Sequence, residues 1–135
     1  METMVDNVTL VGEMFDAFKK GDVDMLLTHM HPDIKWTVTG SAPIPYASTY
    51  NGREETATFF DSLAKAVTFL EFVPERILNA GPHTVVSIGH FKGIAKATGK
   101  EFKSDWVMID EFDDNGLLVR FHDYTDSQNV ANAFL

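Results

Sequence analysis

No cysteine occurs among the 135 residues. That excludes disulfides, thiolate nucleophiles and cysteine-ligated metals, and it fits a cytoplasmic protein. Cations are also scarce: Lys and Arg number 11 against 20 Asp and Glu, for a formal charge of −9. The arginines (Arg53, Arg76, Arg120) and the lysines form no basic cluster, so the chain repels phosphate backbones and no nucleic-acid partner is expected. No apolar run approaches the length that spans a bilayer, and Met1–Asp6 lacks the basic start and apolar core of a signal peptide. No membrane association is expected. The dinucleotide, P-loop and serine-nucleophile motifs are missing, which leaves no support for a cofactor. His29-x-His31 has no third ligand in phase, and Asp113-Asp114-Asn115 lacks the length and closing Glu of a calcium loop. No metal is expected.

What is present is apolar surface. Hydrophobic residues make up 44% of the chain and aromatics 12%, including 11 Phe, enough for one domain over 1–135 with a substantial core. Val8, Val11, Phe15 and Phe18 recur at helical spacing in Val5–Lys20, with Gly21 suited to the C-cap. Asp22 can cap a second helix over Val23–Met30, which Pro32 closes. Ile34, Trp36 and Val38 alternate as a half-buried strand. Gly40–Gly52 reads as a loop holding Tyr46 and Tyr50, and Arg53–Val67 returns to helical period.

The period then changes to two and stays there. Leu70–Leu78, Thr84–Ala97, Glu101–Phe112 and Leu117–Thr125 read as strands, with turns at Asn79–Pro82, Thr98-Gly99 and Asp113–Gly116. Asp126 or Ser127 caps a last short helix carrying Val130 and Phe134. Helices first and antiparallel strands later define an α+β fold: three helices packed on a curled sheet, leaving a conical cavity between them.

Leu117–Asp126 carries the sharpest chemical signal. One side of this strand reads Leu117, Val119, Phe121, Asp123, Thr125, an apolar row interrupted by a carboxylate. A carboxylate facing a core is costly unless it is hydrogen-bonded, hydrated or used. Asp123 is therefore the first catalytic candidate, the alternative being a carboxylate satisfied at the open end of the strand. His90 shares its phase with Val86 and Ile88, which points it to an apolar side where it could form a proton-moving dyad with Asp123. Trp36, Tyr46, Tyr50, Phe59, Phe60 and Phe121 are candidate pocket aromatics, Tyr50 foremost because it sits on the loop. In Glu101–Phe112, period alone leaves open whether the Trp106 row or the Asp105 row faces inward.

The order helix–helix–strand–helix–four strands, together with several local marks, resembles the nuclear transport factor 2-like superfamily in its SnoaL-like branch, related to ketosteroid isomerase. The marks are Trp36…Gly40, the Pro43/Pro45 loop, Tyr50-Asn51-Gly52-Arg53, Thr98-Gly99-Lys100, Asp114–Leu118 and Asp123-Tyr124-Thr125-Asp126. The resemblance implies a conical, cystatin-like α+β barrel and commonly a homodimer through the outer sheet face. It also implies acid–base work by an Asp on the last strand, which Asp123 matches. It favours the Phe102–Ser104–Trp106–Met108 row as the pocket row, making Ser104 and Trp106 substrate-binding candidates. Epoxide hydrolases of this branch carry an Arg-x-Asp pair where this chain has Ser87-Ile88-Gly89-His90-Phe91. Steroid isomerases carry a base Asp where it has Thr39-Gly40-Ser41, and a first-helix Tyr that Val5–Lys20 lacks.

The expectation is a pocket protein for a small apolar or carbonyl-containing ligand, acting as a cofactor-independent isomerase or cyclase. Asp123 and His90 would be catalytic, and Trp36, Tyr50, Phe59, Ser104, Trp106 and Phe121 substrate-binding. The alternative is a non-catalytic ligand-binding or dimeric interaction domain, with epoxide hydrolysis ranked below both.

Overall fold

The structure, a computed structural model, describes residues 6–135. The expected helix start at Val5 and most of the Met1–Asp6 reading therefore lie outside the described residues. Helix α1 (Asn7–Lys20) starts where the Asp6 carboxylate accepts from Val8 N–H at 3.1 Å and Thr9 N–H at 3.3 Å. It stops at Gly21, whose φ of 75° only glycine adopts without strain. Asp22 caps α2 (Val23–Thr28), which is shorter than its spacing suggests, because strand β1 (Met30–Val38) begins almost at once. Pro32 thus lies inside a strand and ends no helix. It is tolerated because the pairing of β1 is irregular between Met30 and Lys35, where no ladder N–H is required.

The Gly40–Gly52 loop contains a short edge strand, β2 (Ser48–Asn51), too brief to show a period of its own. Helix α3 (Gly52–Ala66) leads directly into β3 (Val67–Asn79), followed by β4 (Thr84–Ala95), β5 (Glu101–Phe112), β6 (Leu118–Thr125) and α4 (Ser127–Ala133). The sheet order is β2-β1-β6-β5-β4-β3, antiparallel throughout except for the parallel β1–β6 pair. Edges remain at β2 and β3, so the cone is an α+β wrap around a core and not a closed barrel.

Two local features shape the inner face. Gly89 on β4 leaves the space that the Trp106 ring occupies: an added Cβ would stand 2.4 Å from that ring and 2.2 Å from the Val73 carbonyl. On β6 the register shifts so that Phe112 pairs with Leu118 while Glu111 pairs with Arg120. This bulge turns both Leu118 and Phe121 inward, a phase change that strict alternation from Leu117 misses.

Candidate active site

Beyond the bulge, β6 directs Phe121, Asp123 and Thr125 into the space between helices and sheet. Asp123 is only 8% exposed. Strand β1 ends at Val38, so the Thr39 N–H is released from the ladder and donates to Asp123 Oδ1 at 2.7 Å. The Thr39 hydroxyl donates to the Asp123 carbonyl oxygen at 2.6 Å. Burial pushes the Asp123 carboxyl up to about 6, with the Thr39 bonds opposing the rise.

A second carboxyl shares this space. Asp110 lies on the inner row of β5 with Phe102, Ser104, Trp106 and Met108, and it is 7% exposed. Its Oδ1 has no hydrogen-bond partner, and burial pushes its carboxyl up to about 7. In the ladder Met108 pairs with Asp123, and Asp110 pairs with Phe121. The two aspartates are therefore diagonal neighbours on one face, with backbones roughly 7–8 Å apart.

Both line a pocket of about 110 Å³ whose other walls are almost entirely apolar and aromatic. Trp36 stacks on Phe121 at 3.7 Å, and Phe59 closes on Trp36 at 5.6 Å. Among the described residues, the polar groups of the lining belong to Thr39, Tyr46, Asp110, Asp123, Thr125 and the Trp36 indole; no Lys, Arg or His contributes. Burial, and after it the negative charge of Asp123, raises the Tyr46 phenol well above the usual tyrosine value, so it stays a neutral donor. The chemistry available is proton transfer: a carboxylate able to accept a proton at neutral pH beside a carboxyl able to keep one.

The profile of the SnoaL-like domain family matches residues 11–121. The chain belongs to the SnoaL-like domain family. Two solved NTF2-like proteins resemble this SnoaL-like domain over nearly its whole length. One, from Burkholderia xenovorans LB400, is 26% identical with a TM-score of 0.87, covering 98% of this chain and 100% of that one. The other, from Burkholderia thailandensis E264, is 27% identical with a TM-score of 0.84, covering 100% and 99%. A candidate SnoaL-like polyketide cyclase from Shewanella denitrificans OS-217 is 23% identical with a TM-score of 0.73 over 94% and 95%, a likeness of fold alone. No curated protein matches the sequence.

Of the residues singled out in the sequence, the SnoaL-like domain brings Asp123, Trp36, Tyr46, Phe59, Phe60 and Phe121 together in the pocket. Four others lie elsewhere. Tyr50 sits on the β2 edge, and its hydroxyl donates to the Tyr46 carbonyl at 2.8 Å, bracing the loop that delivers Tyr46. Ser104 lies on the inner row but is spent on structure. Its hydroxyl donates to the Asp105 carbonyl at 2.6 Å and accepts from Asp126 N–H at 2.7 Å, tying β5 to the start of α4. Trp106, on the same row, is core, packed 5.5 Å from Phe15 and 5.4 Å from Phe72.

His90 is a correction. The buried row of β4 is Val85, Ser87, Gly89, Phe91, and His90 projects from the opposite face with Val86 and Ile88. There its Nδ1 lies 3.1 Å from Glu75. Val86 and Ile88 misdirect the phase because both rows of β4 are apolar, and no dyad with Asp123 forms. The group that sequence reasoning passed over is Asp110, and Tyr46 was named among the pocket aromatics but ranked below Tyr50. Asp110 was signalled by its shared phase with Trp106; Tyr46 stood in the aromatic loop with nothing to rank it above Tyr50.

Proposed function

We propose that this SnoaL-like domain is a cofactor-independent acid–base enzyme of the isomerase or cyclase type, acting on a small, largely apolar carbonyl compound. The observation that carries this reading is the pair of buried pocket carboxyls, Asp123 raised to about 6 and Asp110 to about 7. At pH 7 Asp123 is mainly ionised, while burial leaves Asp110 protonated in about half of the molecules. The Asp123 carboxylate takes a proton from the carbon next to the carbonyl. The C–H electron pair becomes a C=C bond, and the carbonyl π pair moves to oxygen. The resulting enolate accepts a hydrogen bond from the Asp110 carboxyl, in a water-poor pocket where such a bond counts most. Isomerisation follows when Asp123 returns the proton to another carbon of the conjugated system. Ring closure follows when the enolate carbon attacks a second carbonyl of the same molecule and Asp123 protonates the new alkoxide. The cyclase assigned to a relative of the same fold is consistent with this chemistry.

The test is deuterium incorporation next to the carbonyl of cyclohexanone and acetophenone, followed by NMR in D2O. The wild type should accelerate exchange, and Asp123→Asn should lower the acceleration on the order of 100-fold or more without unfolding the protein. Ketones that bind in the pocket yet exchange no faster than in buffer would leave a ligand-binding domain in place of an enzyme.

A further inference from the structure

Among the described residues, the buried side-chain atoms without a hydrogen-bond partner are Asn7 Oδ1, Trp36 Nε1, Arg53 Nε, Ser87 Oγ, Trp106 Nε1 and Asp110 Oδ1. Of these residues only Trp36 and Asp110 line the pocket. A buried N–H left unpaired costs roughly 1–3 kcal/mol, so one that lines a pocket is a ready donor for a ligand there. The sheet also places these two residues in relation to each other. Trp36 pairs with Phe121 across β1 and β6, and Phe121 pairs with Asp110 across β6 and β5. The orphaned donor and the orphaned carboxyl thus flank one ring. The indole is held by its stack on Phe121 and by Phe59 and Phe60 at 5.6 and 5.4 Å, so its N–H direction is fixed before a ligand arrives.

We propose that Trp36 Nε1–H is a substrate-binding donor that hydrogen-bonds the carbonyl oxygen of the ligand. A carbonyl oxygen has two lone pairs, and a developing enolate oxygen is best held by two preorganised donors. The Asp110 carboxyl supplies one and the Trp36 indole the other. This rests on the acid–base reading above and adds a specificity to it. The pocket selects ligands that present an acceptor oxygen between β1 and β5, and it discriminates against hydrocarbons of the same shape.

Acetophenone and α-methylstyrene form a matched pair, differing by C=O against C=CH2. Their dissociation constants are measured by NMR titration against wild type and Trp36→Phe, so that the cost of leaving water cancels. Acetophenone should bind about tenfold more weakly to the variant, one neutral hydrogen bond's worth, while α-methylstyrene changes by less than about threefold. Equal weakening of both ligands, or of neither, overturns the role of the N–H and leaves the pocket standing. Neither ligand shifting pocket resonances of the wild type overturns the pocket reading and this inference together. If Trp36→Phe does not fold, the sulfur isostere of tryptophan at position 36 keeps the bicyclic shape and removes only the N–H. The same comparison then decides.

Discussion

Thr39 grips Asp123 at two points, its N–H on Oδ1 at 2.7 Å and its hydroxyl on the Asp123 carbonyl at 2.6 Å. The same hydroxyl lies 3.3 Å from His122 Nε2 on the outer side of β6. The end of β1 therefore sets both the direction and the acidity of the pocket carboxylate. Thr39→Val keeps the N–H bond and removes the hydroxyl. It should destabilise the fold by about 1 kcal/mol and move the Asp123 carboxyl above about 6, since both Thr39 contacts hold it down. Carbon-13 NMR titration of the Asp123 carboxyl reads the shift directly; an unchanged midpoint would show that the hydroxyl has no part in tuning it.

The two raised carboxyls have a signed consequence for stability. In the unfolded chain both ionise near 3.8, whereas in the fold they ionise near 6 and 7. Over the interval between, the native state holds more protons than the unfolded one, so this pair lowers stability as pH rises and costs nothing at pH 3. Asp110→Asn keeps the shape and abolishes the ionisation. The stability gain of the variant over wild type should be near zero at pH 4 and grow to the order of a few kcal/mol at pH 8, past the native value of about 7. Urea melts of both proteins at pH 4, 6 and 8 measure it. A gain that does not vary with pH would mean that Asp110 is not the buried, proton-holding group described.

Asp123 could be read from the sequence because an apolar row beside a carboxylate is visible wherever the two faces of a strand differ in polarity. The same logic placed Phe121 with it. On β4 it failed, since Val85 and Phe91 face in while Val86 and Ile88 face out, and period alone does not say which apolar row is the core. Trp106 and Ser104 were placed on the correct face, yet neither lines the pocket. Facing inward is a property of the strand, but reaching the pocket depends on what Phe15, Phe72 and α4 already fill. Asp110 shows the reverse case. Its row was legible, yet its importance comes from an unmet hydrogen bond, which only three-dimensional packing reveals.

The displacement of His90 makes a sharp negative prediction. Half-exposed, 3.1 Å from Glu75 and 3.9 Å from Glu71, it faces surface carboxylates on the side of the sheet opposite Asp123. His90→Ala should leave ketone deuterium exchange within about twofold of wild type and stability within about 0.5 kcal/mol. An exchange rate reduced as far as in Asp123→Asn would restore the histidine to the chemistry and require the strand to sit in a different phase.

The outer sheet face carries its own expectation. Ile88, Val107 and Tyr124 lie side by side across β4, β5 and β6, and Val86, Ile109 and His122 form the next rank. Tyr124 is 46% exposed, stacked parallel on His122 at 4.3 Å, and Leu78 on β3, paired with Val86, is 36% exposed. An antiparallel sheet with one face on the core normally turns polar residues outward, and these ranks do not. We propose that a second copy of the chain covers them in an isologous pair, because ranks of branched side chains flanking a two-fold axis can interdigitate with themselves. Sedimentation equilibrium at micromolar concentration should return twice the mass of 15.1 kDa. Val107→Arg, which sets like charges against each other across such an axis, should return the single mass while the pocket still binds acetophenone. A wild-type monomer would mean that these ranks are exposed in solution. A dimer untouched by Val107→Arg would move the contact to another face.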